Sequence, residues 1–179
     1  VVIDSEALHN RAVVAAAATH GVDLPPAIFD EFLGIPDSVL LAAISERYLG
    51  GTVDPGLLLA EKQRHYLALM ETQLQPIPGA VEFIAAVRPH VEALALVTSS
   101  LRHNQALAFA RFGLTPYFDV VVTAEDITHP KPHPEPYLTA AASLGVRPEW
   151  CVAIEDSPTG VRSAVAAGCQ VWAVPNVVP

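Results

Sequence analysis

Three short runs in this 179-residue chain hold side chains suited to handling a phosphoryl group. The first is Leu96-Val97-Thr98-Ser99-Ser100, where hydroxyls and their backbone amides follow an apolar stretch and precede a helical one. Donors placed that way can aim at an anion near a helix N-terminus, although the same residues could simply cap that helix. The second is His129-Pro130-Lys131-Pro132-His133-Pro134. Proline fixes its own φ and restrains the residue before it, so Lys131 sits on a stiff backbone. Its ammonium could neutralise a phosphoryl oxygen and a nearby carboxylate, or it could be a solvated lysine on a rigid surface loop. The third is Ile154-Glu155-Asp156-Ser157-Pro158. Two adjacent carboxylates at the end of an apolar run repel one another unless a cation joins them. A hard divalent ion such as magnesium suits oxygen ligands of this kind; acids decorating a helix N-terminus are the alternative reading.

These runs need a frame that brings them together, and the hydropathy pattern supplies one. From about His9 to Leu74 the windows Arg11–His20, Ser38–Tyr48 and Leu57–Gln73 carry apolar residues at helical spacing, with Asp54-Pro55 as a helix start. From Pro76 onward short apolar strands alternate with helices. Strands are predicted at Ala93–Val97, Val120–Thr123, Cys151–Ile154 and Val171–Val174. Helices are predicted at Ala80–Val87, Asn104–Phe112, Pro134–Leu144 and Thr159–Ala167. Such strands, lacking polar alternation, indicate an open parallel sheet covered on both faces. The expected fold is therefore α/β: a Rossmann-like parallel core of residues 1–8 and 76–179, with an inserted all-helical cap at 9–75. Open sheets bind ligands beyond the carboxyl ends of their strands, where all three runs fall.

Composition narrows the partners. The net charge of −9 argues against nucleic acid, whose phosphates need a basic face, but allows a small phosphorylated metabolite. Every apolar run is broken before it reaches membrane-spanning length, and the start of the chain shows no signal-peptide pattern, so the expected location is cytoplasmic. Cys151 and Cys169, each in an apolar strand-like run, are expected to be buried reduced thiols. A monomer is expected.

The order of hydroxyl, lysine and acid pair on successive strand ends resembles the haloacid dehalogenase superfamily, and within it the beta-phosphoglucomutase-like phosphatases. Thr98 matches the residue that hydrogen-bonds the transferring phosphoryl group. Lys131 in Lys-Pro-His-Pro matches the lysine that steadies phosphate and nucleophile, and Glu155-Asp156-Ser157 matches the metal-binding acids. Phe112-Gly113-Leu114, Tyr117-Phe118-Asp119 and Gly168 with Val171–Pro175 follow the group's pattern as well.

The resemblance implies magnesium held by Asp156 and Glu155, with Thr98, Ser99 and Lys131 on the phosphate. Ser100, Arg102 and His9 are candidates for contacts to the remainder of the substrate. It also implies a nucleophilic aspartate in an Asp-x-Asp-Gly turn. Val1–Glu6 resembles the segment that follows that turn, so the nucleophile is expected upstream of Val1, and residues 1–179 alone are expected to be inactive. Asp4 does not fill the role, having no second aspartate two residues on. Past Pro179 relatives usually continue into another helix.

Around Gly34-Ile35-Pro36-Asp37, mutase relatives carry an arginine that grips a second phosphate; here Asp37 stands instead. Hydrolysis of a small phosphomonoester, a sugar phosphate, through an aspartyl-phosphate is the expected reaction. The alternatives are a beta-phosphoglucomutase-type mutase and a non-catalytic binding protein on the same fold. A dehalogenase, which needs no magnesium, is disfavoured by the acid pair.

Overall fold

The structure is a computed structural model that describes residues 1–32 and 36–174. Gly34, Ile35, Pro175 and the Val177–Pro179 end considered above lie outside the described residues. Along the chain the elements are β1 (Ile3–Asp4), α1 (Glu6–Ala18), α2 (Ala27–Glu31), α3 (Asp37–Tyr48), α4 (Pro55–Gln73) and β2 (Gln75–Pro76). They continue with α5 (Ala80–Val87), β3 (Ala95–Val97), α6 (Arg102–Phe112), β4 (Val120–Val122), α7 (Glu135–Leu144), β5 (Val152–Glu155), α8 (Pro158–Ala167) and β6 (Gln170–Ala173). Contacts divide the chain into two compact units, Asp4–Gln75 and Val1–Ile3 with Pro76–Pro179.

The first unit is helical. Its longest member, α4, starts as its sequence dictates: Asp54 Oδ1 accepts from the Leu57 amide at 3.1 Å and proline occupies the first turn. Helices α1 and α4 run against each other, so Arg11 meets Gln73 while His20 meets Glu61. Small residues on α1 (Ala12, Ala16, Ala17) are sealed inside. Val13, Leu24, Ile28, Leu40, Leu41, Ile44 and Leu58 complete an apolar core in which each large aliphatic contributes about 1.5–3 kcal/mol of transfer free energy.

The second unit carries two parallel ladders. Strand β3 pairs with β4 in the register Ala95–Val120, Leu96–Val121, Val97–Val122, and α6 makes the crossover. Strand β5 pairs with β6, from Val152–Gln170 to Glu155–Ala173, with α8 as its crossover. Among the described residues no strand joins one ladder to the other. Packing does so instead: Val97 of β3 rests on the cluster of Tyr137, Ala153, Ala164 and Ala167 from α7, β5 and α8. A second cluster, around Ile84, Phe109 and Leu114, takes in Leu94, Leu96 and Val121.

Four expectations need correction. Strand β4 ends at Val122, because Thr123 and Asp126 cap each other's backbone and open a short 3-10 turn. Strand β5 runs one residue further than predicted, so Glu155 is its last member rather than the first residue beyond it. Among the described residues the β5–β6 ladder is also not covered on both faces: Val152 is 48% exposed and Trp172 60%. Strand alternation turns these two away from Ala153 and Glu155, onto a face that no described helix covers. Cys151 and Cys169 are free thiols, half-buried rather than buried, and burial raises the pKa of each.

Candidate active site

The alternation of β5 explains why two neighbouring carboxylates have different surroundings. Ala153 and Glu155 share the face packed toward α7 and α8, so the Glu155 carboxyl is only 4% exposed. Asp156, one residue on and outside the strand, remains half-buried. Ser157 then caps α8, its Oγ accepting from the Gly160 amide at 3.0 Å, with Pro158 in the first turn.

A buried carboxylate must be fully bonded, and Glu155 is. Lys131 Nζ donates to its Oε1 at 2.5 Å, the Tyr137 hydroxyl donates to the same oxygen, and Ser157 Oγ donates to Oε2 at 3.3 Å. Burial raises the Glu155 pKa, but the charge and hydrogen bond of Lys131 outweigh it, helped by Tyr137, and the group lies below its ordinary value. Tyr137 responds oppositely: burial first, then its bond to the carboxylate, drive its hydroxyl well above the usual range. Gly160 presses on the far side. A Cβ built there would stand 2.1 Å from the Glu155 Cδ and Oε2, so only glycine lets α8 start against this carboxylate.

Lys131 connects the two ladders chemically. Besides Glu155 at the end of β5, its ammonium donates to the Val97 carbonyl at the end of β3, at 3.2 Å. The Lys131–Pro132 peptide is cis. The loop is pinned at two further points. Ser163 of α8 donates to the His133 carbonyl at 2.6 Å, and Glu135 accepts from the Thr128 and His129 amides at 2.7 and 2.9 Å.

Thr98 follows directly on Val97. Its amide extends the ladder by donating to the Val122 carbonyl at 2.9 Å, and its Oγ1 accepts from the Ser100 amide at 3.1 Å. Using that lone pair leaves the hydroxyl proton available as a donor. Ser99 is exposed and Ser100 half-buried on the same turn. Arg102, opening α6, gives its guanidinium to Asp126 and its amide to Glu125. Asp156 is the open carboxylate of the pair. Glu155 has its oxygens committed, whereas Asp156 offers a hard, partly solvated oxygen to a positive charge, which fits one ligand of a magnesium ion.

His9 belongs to the helical unit. Its Nδ1 accepts from Lys62 at 2.7 Å, and its ring stacks on Tyr66 with centroids 4.0 Å apart. Lys62, 2% exposed, also donates to Asp37 at 2.6 Å. Burial, then the Lys62 charge, lower the His9 pKa to about 4 despite Asp37. Sequence reasoning missed Lys62 and Tyr137 as parts of these networks, and nothing in their spacing marked them. Both lie on helical apolar stripes, where long side chains usually read as packing.

Known proteins give the arrangement a context. Over 167 residues the chain is 30% identical to validoxylamine A 7'-phosphate phosphatase of Streptomyces hygroscopicus subsp. limoneus, covering 93% of this chain and 77% of that protein. Over 176 residues it is 30% identical to hexitol phosphatase B of Escherichia coli K12, covering 98% and 79%. The crystal structure of beta-phosphoglucomutase from Clostridium difficile shares the fold, with a TM-score of 0.78 at 24% identity over 98% of this chain and 81% of that one. The haloacid dehalogenase-like hydrolase profile matches residues 1–174, among which all of these strand-end residues fall. The chain therefore belongs to the haloacid dehalogenase-like hydrolases, in their beta-phosphoglucomutase-like phosphatase group.

Proposed function

We propose that this chain carries the phosphate-holding and metal-holding side of a magnesium-dependent phosphatase acting on a small phosphomonoester, a sugar phosphate. The observation that carries the reading is Lys131: one ammonium is bonded to the end of β3 beside Thr98 and to the end of β5 beside Asp156. That puts a cation where a transferring phosphoryl group would need its equatorial oxygens neutralised. Relatives named as a validoxylamine A 7'-phosphate phosphatase and a hexitol phosphatase support the substrate class.

In this reading the Thr98 hydroxyl donates to a phosphoryl oxygen, with the Ser99 and Ser100 amides on the same turn. Lys131 offsets the charge on phosphate and nucleophile. Glu155, fixed by Tyr137 and Ser157, holds that ammonium in place, and Asp156 supplies a direct carboxylate ligand to magnesium. The metal supplies further positive charge for the phosphate. An aspartate upstream of Val1 attacks in line, and water hydrolyses the aspartyl-phosphate that results. His9 and Arg102 act on substrate only by exchanging their present partners, Lys62 and Asp126. The free thiols fit a reducing cytoplasm.

Hydrolysis is preferred over mutase chemistry because the Asp37 carboxylate, paired with the buried Lys62, gives the cap a neutral pair there rather than a cation for a second phosphate. The test is phosphate release from hexitol and hexose phosphates by the protein extended upstream of Val1. Asp156→Asn should lower magnesium-dependent turnover by at least about 10²–10³-fold with the fold intact, as loss of a transition-state electrostatic partner does. Unchanged turnover would sink the assignment.

A further inference from the structure

Outside the Thr98, Lys131 and Asp156 constellation, one group of metal-ligating side chains converges. His129, His133 and Glu135 each offer a ligand atom, and these atoms all lie within 4.8 Å of one another. His129 Nδ1 is 2.7 Å from Glu135 Oε2, His133 Nδ1 is 3.9 Å from the same oxygen, and the two imidazoles face each other with centroids 4.6 Å apart. Around a tetrahedral zinc ion, with bonds of about 2.0–2.1 Å, neighbouring ligand atoms stand about 3.3 Å apart. The two measured separations fall on either side of that value. Both rings are open to solvent, 61% and 49% exposed, so each can make the shift of about 0.6 Å to the tetrahedral value, His133 Nδ1 giving up the Glu135 amide from which it now accepts at 3.2 Å.

The geometry points to a binding site for a borderline-soft divalent transition metal, zinc above all, formed by His129, His133 and Glu135. Two imidazoles and one carboxylate select zinc, nickel or copper and discriminate against magnesium, which prefers oxygen alone. The carboxylate is already oriented: the Thr128 and His129 amides hold Glu135, which is the kind of outer support that metal-binding carboxylates need. Three protein ligands leave a fourth position for water. The His129 imidazole, which now donates Nδ1–H to Glu135, would take zinc on Nδ1 as the other neutral tautomer, with its proton on Nε2. His129 and His133 flank Lys131 two residues away on either side, so zinc would close a ring around the loop that carries the lysine.

The inference stands on metal binding alone and does not depend on the phosphatase reading. Zinc chloride titrated into metal-free protein at neutral pH, with millimolar magnesium present, should bind with one equivalent per chain in calorimetry and in dialysis with metal analysis. His129→Gln/His133→Gln should weaken that binding by at least about 100-fold, the larger end of what lost coordination or its support costs. Cys151→Ser/Cys169→Ser should leave it unchanged. Proton NMR gives a check independent of any variant: the His129 and His133 ring signals should shift on one equivalent of zinc while those of His20 and His65 stay in place. Absence of stoichiometric zinc, equal affinity in the double histidine variant, loss of binding in the cysteine variant, or unshifted His129 and His133 signals would each overturn the proposal.

Discussion

Gly160→Ala sets two effects of opposite sign against each other at one position. Gly160 lies in the first turn of α8, and replacing a helical glycine by alanine ordinarily stabilises by up to about 1 kcal/mol. Here the added methyl would occupy space 2.1 Å from the Glu155 Cδ and 2.3 Å from Oε1, where ordinary contact begins at 3.4 Å. The carboxylate has to swing away, and it then leaves Lys131, Tyr137 and Ser157 together. Breaking a buried ion pair costs about 3–5 kcal/mol. The net expectation is a loss of about 2–4 kcal/mol, measured by urea unfolding followed by far-UV circular dichroism. With Glu155→Ala in the background nothing remains to clash, so the same glycine change should become neutral or stabilising by up to about 1 kcal/mol. A Gly160→Ala protein as stable as the parent, or one equally destabilised in both backgrounds, would refute the reasoning.

Other outcomes follow from the helical unit. His9 is held neutral, with its pKa lowered to about 4 from 6.5. Between those values the unfolded chain binds the extra proton, so stability is complete above pH 6.5 and falls as pH drops toward 4, by about 3 kcal/mol at most. Comparing unfolding of the parent and His9→Gln across that window isolates this contribution; parallel curves would contradict it. Lys62→Met removes the second-largest cause of the shift, so the His9 ring signal should titrate at higher pH in proton NMR, and an unmoved midpoint would count against the pairing. Asp54→Ala deletes the cap of α4 and should cost about 1 kcal/mol in thermal or urea unfolding; no cost would show that the cap does not stabilise α4.

Sequence reading reached the strand ends because each relevant residue type stood after an apolar run, and runs of that kind survive translation into β3, β4 and β5. It also found the Asp54-Pro55 start of α4, since a cap is a local bond between near neighbours. It did not foresee the different surroundings of Glu155, buried, and Asp156, half-buried. That distinction depends on β5 running one residue further than predicted and so turning Glu155 inward. Tyr137 and Lys62 were illegible for a related reason. Their polar tips are satisfied by residues 18 and 25 or more positions away, and helical periodicity records only which face is covered. The uncovered side of β5 and β6 was equally hidden, because an apolar strand reads alike whether one face or both are packed.

That uncovered side bears on how the chain behaves at high concentration. Among the described residues, Val152 and Trp172 present apolar surface on a ladder of two strands only, an arrangement that favours association between copies. The chain carries a net charge of −9, so at low ionic strength neighbouring molecules repel before those faces can meet. Salt at about 0.15 M shortens the reach of that repulsion to about 8 Å while leaving the attraction between apolar faces intact. The described surface therefore relies on an electrostatic barrier to keep copies apart, and dilute buffer is expected to keep the chain dispersed better than saline.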